Sequence, residues 1–213
     1  MLRQSSIDTE QWQPLLGRFV SFAFSPITCV PALFLILSYW HLSGIETFFI
    51  STIAIIFYGL IPFYILLKLL KNGNIYSLDI TNRDRRGKPF LYALFCYSVP
   101  LILYFQLFPD FEIMWQSALI LFLGALVSAI ITMFWKISVH TGSFTLVLLL
   151  LIFGYSNSFE WSGFSYMILL TGIFLLGLVS WSRVVVKAHT INQVFVGILI
   201  ATVVLGITIQ LVN

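Results

Sequence analysis

The sequence predicts an all-α protein, a polytopic transmembrane helical bundle of six or seven spans. Hydrophobic residues make up 60% of its 213 residues and charged residues only 9%, more apolar surface than a soluble domain of this length can bury. The mean hydropathy is +1.00. Apolar runs of about 20 residues recur along the whole chain, whereas a membrane barrel shows segments of about ten alternating residues. The bilayer is therefore an expected partner, and no soluble or nucleic-acid-binding domain is left over. Cys29 and Cys96 both lie inside apolar runs, where each reads as a small buried hydrophobe.

The elements follow in order. Residues 1–18 are polar and mixed in charge, without the apolar core and small-residue cleavage site of a signal peptide. They read as a polar tail before a single transmembrane domain, 19–213. The first run, 19–42, contains Pro26 and Pro31, which kink a helix. A short turn leads to the second run, 48–70, which ends in Lys68 and Lys71. A polar segment, 72–89, carries Asp79, Arg83, Asp84, Arg85, Arg86 and Lys88. The third and fourth runs, 90–108 and 113–135, flank a turn with Asp110 and Glu112. The fifth, 143–155, is short for a span unless it begins near His140. The sixth and seventh are 164–181 and 191–212.

With seven spans, the tail and the loops at 72–89, 136–142 and 182–190 share one face. All the cations fall there: Arg3, Arg18, Lys68, Lys71, Arg83, Arg85, Arg86, Lys88, Lys136, Arg183 and Lys187. The opposite loops hold Glu46, Asp110, Glu112 and Glu160 and no cation. The positive-inside rule makes the cation-rich face cytoplasmic, in an integral protein of the cell (inner) membrane.

Three polar clusters meet at that face. One is the basic loop ending in Lys88-Pro89, the second is Ser138-Val139-His140, and the third is Ser182-Arg183 with His189 six residues after the arginine. Arginine offers a fork of donors that matches phosphate oxygens, and a neutral imidazole can attack phosphorus or carry a proton. The clusters read as a phosphate site. Taken singly, the residues have plainer roles: Arg183 and Lys187 can end a helix at the interface, Ser138 can cap one, and Lys136 beside Trp135 reads as a snorkelling anchor.

The combination resembles the type 2 phosphatidic acid phosphatase (PAP2) superfamily, whose motifs are KxxxxxxRP, PSGH and SRxxxxxHxxxD. Ser182, Arg183 and His189 fit the third motif, and Ser138 and His140 fit the second. Lys88-Pro89 stands where the family has Arg-Pro, Ile137 and Val139 replace a Pro and a Gly, and Gln193 replaces the final Asp. This pattern resembles a variant branch with His-x-x-x-Gln.

The resemblance implies an integral membrane lipid phosphatase acting on an isoprenoid or glycerolipid phosphate or diphosphate, with a lipid phosphate as partner and no metal or other cofactor. His189 would attack phosphorus to form a phosphohistidine, and His140 would protonate the leaving oxygen. Gln193 would fix the ring tautomer. Arg183, Lys88, Ser138 and one or more of Arg83, Arg85 and Arg86 would bind the phosphoryl oxygens, and Asp79 or Asp84 would supply the missing negative charge. Two other readings compete: a relative that binds or transports lipid phosphates without catalysis, and a magnesium-dependent intramembrane prenyltransferase built on Asp79 and Asp84.

Overall fold

The apolar runs fold as helices because a chain in hydrocarbon must satisfy its own backbone groups. The computed structural model describes residues 5–77, 80, 85–158, 160 and 162–212, and all of the regular structure among them is helical. Helix α1 is Ser5–Ala23 and α2 is Pro26–His41. A longer helix, α3, covers Ile45–Lys71 and contains a π-helical turn at Ile55–Leu60. Four more helices follow: α4 (Gly87–Leu107), α5 (Glu112–Phe134), α6 (Val139–Ser158) and α7 (Gly163–Val185). The last, α8, is Ile191–Val212. Among the described residues six helices are long and apolar enough to cross a membrane, and the bent α1–α2 pair brings the number to as many as seven. This is the architecture of a multi-pass membrane protein, as the sequence predicts.

Two boundaries differ from the expectation. The predicted tail is helical from Ser5, so residue 18 falls inside α1. The first run is not one helix, because Trp12–Ala23 and Pro26–His41 meet at 45°. Pro26 opens α2 without an N–H to continue the ladder, and Ser25 before it is extended, at φ −71° and ψ 160°. The Thr28 hydroxyl lies 2.8 Å from the Ala23 carbonyl, whose intrahelical partner the break removes. Pro31, by contrast, lies within α2, its ring close to Gly59 in the π-helical turn of α3. The fifth span gains its length at its start, since α6 begins at Val139.

Small residues bring the helices into contact, as expected where lipid gives no hydrophobic drive for association. A Cβ on Gly197 of α8 would sit 2.6 Å from the Ser138 carbonyl oxygen, and one on Gly142 of α6 would sit 3.2 Å from the Gly197 oxygen. Deeper in the bundle, Tyr104 of α4 donates to the Ile50 carbonyl of α3 at 2.9 Å, and the Ser38 and Ser51 hydroxyls pair at 3.0 Å. Phe34, Tyr58, Tyr97 and Tyr104 form an aromatic cluster beside these bonds.

Candidate active site

The site starts from the way α7 ends. Lys187 adopts a left-handed conformation, φ 55°, and the chain turns back on itself. The Lys187 N–H bonds the Val184 carbonyl at 2.9 Å, and the Ala188 N–H bonds the Arg183 carbonyl at 3.1 Å, the two bonds of a Schellman termination. The His189 N–H joins the same Arg183 carbonyl at 3.1 Å. The turn fixes the spacing of Arg183 and His189 through the backbone, before either side chain makes a contact.

Gln193, the first turn of α8, then sets the imidazole. Its Oε1 accepts the Thr190 backbone N–H at 3.3 Å and lies 3.1 Å from His189 Nδ1. A backbone N–H can only donate, so the amide oxygen faces both groups and Nδ1 carries the proton. Nε2 is left with its lone pair. His189 is 7% exposed, and burial, then the charges of Arg86, Arg183 and Lys136, push its pKa down to about 3. At neutral pH the ring is uncharged.

Arg86 faces that lone pair. Its guanidinium is 5% exposed, with Nη2 3.4 Å from His189 Nε2, Nη1 donating to the Ile137 carbonyl at 3.1 Å and Nε donating to the Ile80 carbonyl at 2.9 Å. A further backbone bond, from the Ser138 N–H to the Gln193 carbonyl at 3.1 Å, ties the start of α6 to α8. The three polar clusters of the sequence thus converge on His189.

Beside this head lies a cavity of about 380 Å³, within the usual range for small-molecule sites. The polar and charged side chains that line it include His189, His140, Arg86, Arg18 and Ser21. The rest of its wall is mostly apolar, with Phe22 and Ile27 from the α1–α2 bend, Phe63 and Leu66 from α3, and Phe90 and Tyr97 from α4. The cationic lining residues suit a phosphate and the apolar ones a hydrocarbon chain.

Residues 132–213 match the family model of the PAP2 superfamily. No curated protein and no solved structure matches the chain. The PAP2 match covers α6, α7, α8 and the turns between them, and therefore His140, Arg183, His189 and Gln193. It supports a phosphatase acting on lipid phosphates. The N-terminal wall of the cavity lies outside the matched residues.

The structure sorts the other expected residues. Arg183 is fully buried behind the head, and its Nη1 donates to the Ser21 hydroxyl of α1. Ser138 is fully buried, and its hydroxyl lies 3.5 Å from the Thr141 N–H, in the place of a helix N-cap. Lys88 is exposed and reaches Asn74 Oδ1 at 3.3 Å, outside the cavity wall. Arg85 holds the turn after α3, through the Gly73 and Asn74 carbonyls and the Tyr76 ring. Arg83, Asp79 and Asp84 lie outside the described residues.

Sequence reasoning read Lys136 as an anchor outside the site and did not single out Ser21 or Arg18. Lys136 is half-buried, and burial together with the charges of Arg86 and Arg183 lowers its pKa. It belongs to the cationic head, and Trp135 beside it is what suggested an anchor. Ser21 and Arg18 carried a weaker signal, two polar residues three apart at the start of an apolar run.

Proposed function

We propose that the protein is a membrane lipid phosphatase in which His189 is the nucleophile. The observation that carries this reading is the buried His189, with Nδ1 held by Gln193 and Nε2 directed at Arg86, on the wall of a mostly apolar cavity. A lipid's phosphate would lie among the cations while its chain fills the apolar wall. Nε2 attacks phosphorus as the bond to the lipid oxygen breaks, and that oxygen takes up a proton from water, relayed through His140 on the cavity wall. Water then hydrolyses the phosphohistidine. Arg86, with the charges of Arg183 and Lys136 behind it, offsets the negative charge that grows on the phosphoryl oxygens.

Gln193 accepts the Nδ1 proton and keeps the tautomer, but as a neutral amide it does not balance an imidazolium as a carboxylate does. Three cations around the ring oppose the protonated form further. The site suits a nucleophile that stays unprotonated until it is phosphorylated, and no metal has a role in this scheme. The cation-rich face supports a cytoplasmic placement of the site in the cell membrane.

Phosphate release tests the reading. The purified protein in detergent with excess EDTA is expected to release phosphate from a panel of phosphatidic acid and isoprenoid phosphates, and His189→Ala is expected to lose at least about a thousandfold, a typical loss for a removed nucleophile. Equal release from wild type and variant would remove His189 from the chemistry.

A further inference from the structure

A hydroxyl from α1 links the buried Arg183 to the cavity. Arg183 and Ser138 are both fully buried, and among the described residues the cavity wall includes neither. It does include Ser21, which is 2% exposed and whose hydroxyl accepts from Arg183 Nη1. The arginine and the serine that the sequence assigns to the phosphoryl oxygens therefore lie off the wall, and a serine that it does not assign lies on it. Ser138 is engaged instead at the start of α6, where its hydroxyl lies 3.5 Å from the Thr141 N–H.

The approach of α1 to α7 sets this position. A Cβ on Gly17 would fall 2.5 Å from Val185 Cγ1, so the missing side chain lets the two helices lie this close. Residues four apart share a helix face, and the same approach brings Ser21 onto Arg183. The Arg183 carbonyl in turn accepts the His189 N–H at 3.1 Å. Ser21 is thus anchored to the residue that holds the backbone of the nucleophile.

The bond to Arg183 also decides what the Ser21 proton can do. A guanidinium has donors and no acceptor, so Ser21 accepts with a lone pair and keeps its O–H for another partner. Serines in helices commonly give that proton to a carbonyl three or four residues back, as Ser38, Ser143 and Ser182 do with Leu35, Val139 and Val179 at 3.1, 2.8 and 2.7 Å. Ser21 makes no such bond, and among the described residues its proton has no acceptor. A hydroxyl that accepts from a cation is also a stronger donor, because hydrogen bonds in a chain polarise one another.

We propose that Ser21 is a phosphate-binding residue, whose O–H donates to an oxygen of the phosphoryl group that His189 attacks, and that Arg183 acts on the phosphate through this hydroxyl and not by contact. The proposal rests on the lipid phosphatase reading. It brings into the site a residue of α1, outside the matched residues 132–213.

Calorimetry in detergent with two probes tests it: orthovanadate, a phosphate mimic, and farnesol, which has a chain and no anion. Ser21→Ala is expected to weaken vanadate binding at least about tenfold, the size of a hydrogen bond to a charged group, and to leave farnesol binding within about twofold. Ser21→Thr, which keeps a hydroxyl, is expected to recover most of the vanadate affinity. Unchanged vanadate binding by Ser21→Ala, a wild type that binds no vanadate, or equal losses on both probes would overturn the proposal, the last because it marks a serine that only docks α1. A crystal structure of the wild type with vanadate checks the contact without any variant. A vanadate oxygen is expected about 2.7 Å from Ser21 Oγ, and vanadate held by Arg183 without Ser21 would overturn the proposal. Phosphate release from farnesyl phosphate is measured in parallel. A wild type that releases none defeats the phosphatase reading, while the vanadate contrast still decides the role of Ser21.

Discussion

The head of the site and the wall of its cavity are held by different forces. The head is fixed by the backbone: the Schellman turn at Lys187, the Ser138–Gln193 bond, and the Ile137 carbonyl that takes Arg86. Its polar groups have defined partners, so small displacements cost directed hydrogen bonds. The wall, from α1 to α4, depends on apolar packing and on a helix break. Such a wall tolerates a change of shape far better than the head tolerates a change of chemistry.

The largest expected effect is at Arg86. Arg86→Ala should lower kcat/KM for a lipid phosphate by about 100- to 1000-fold, in the range for removal of a donor to developing charge, and Lys88→Ala should stay within a few fold. Kinetics on both variants check the contrast, and a larger loss at Lys88 would restore the assignment that the Lys88-Pro89 pair suggests.

In the wall, Ala93→Trp puts an indole into the apolar part of the cavity. It should raise KM for a long-chain lipid phosphate by about tenfold, as lost chain burial implies, and leave hydrolysis of p-nitrophenyl phosphate near wild type. Equal damage to both substrates would mean that wall and head are not separable.

Gly197→Ala addresses the packing that joins α6 to α8. Its methyl group would meet the Ser138 oxygen at 2.6 Å, and the expected cost is about 1–3 kcal/mol, read as a lower Tm. Gly206→Ala, with nothing within 4 Å, should change Tm little. A neutral Gly197→Ala would show that this contact does not hold the two helices together.

The same division explains what the sequence reveals. The spans are legible because bilayer thickness demands long apolar runs, and Arg183 and His189 are legible because a tight turn imposes a fixed spacing on them. The role of Arg86 is hidden. Pro89 draws attention to Lys88, yet α4 begins at Gly87, so Lys88 lies on the exposed side of the first turn while Arg86, just before the helix, faces His189. Arg18 and Ser21 are hidden for a related reason. Their meaning depends on α1 bending away from α2 and docking on α7, a contact between residues about 160 positions apart in the chain.

The central claim is that His189 carries the phosphoryl group. Its most direct test is to mix the protein with a lipid whose terminal phosphate is ³²P-labelled, quench in alkali within milliseconds, and map the label by peptide mass spectrometry. The account predicts an alkali-stable, acid-labile phosphate on His189 that is absent from His189→Ala and turns over in step with phosphate release. Release without any label on the protein, or label on another residue, would contradict it.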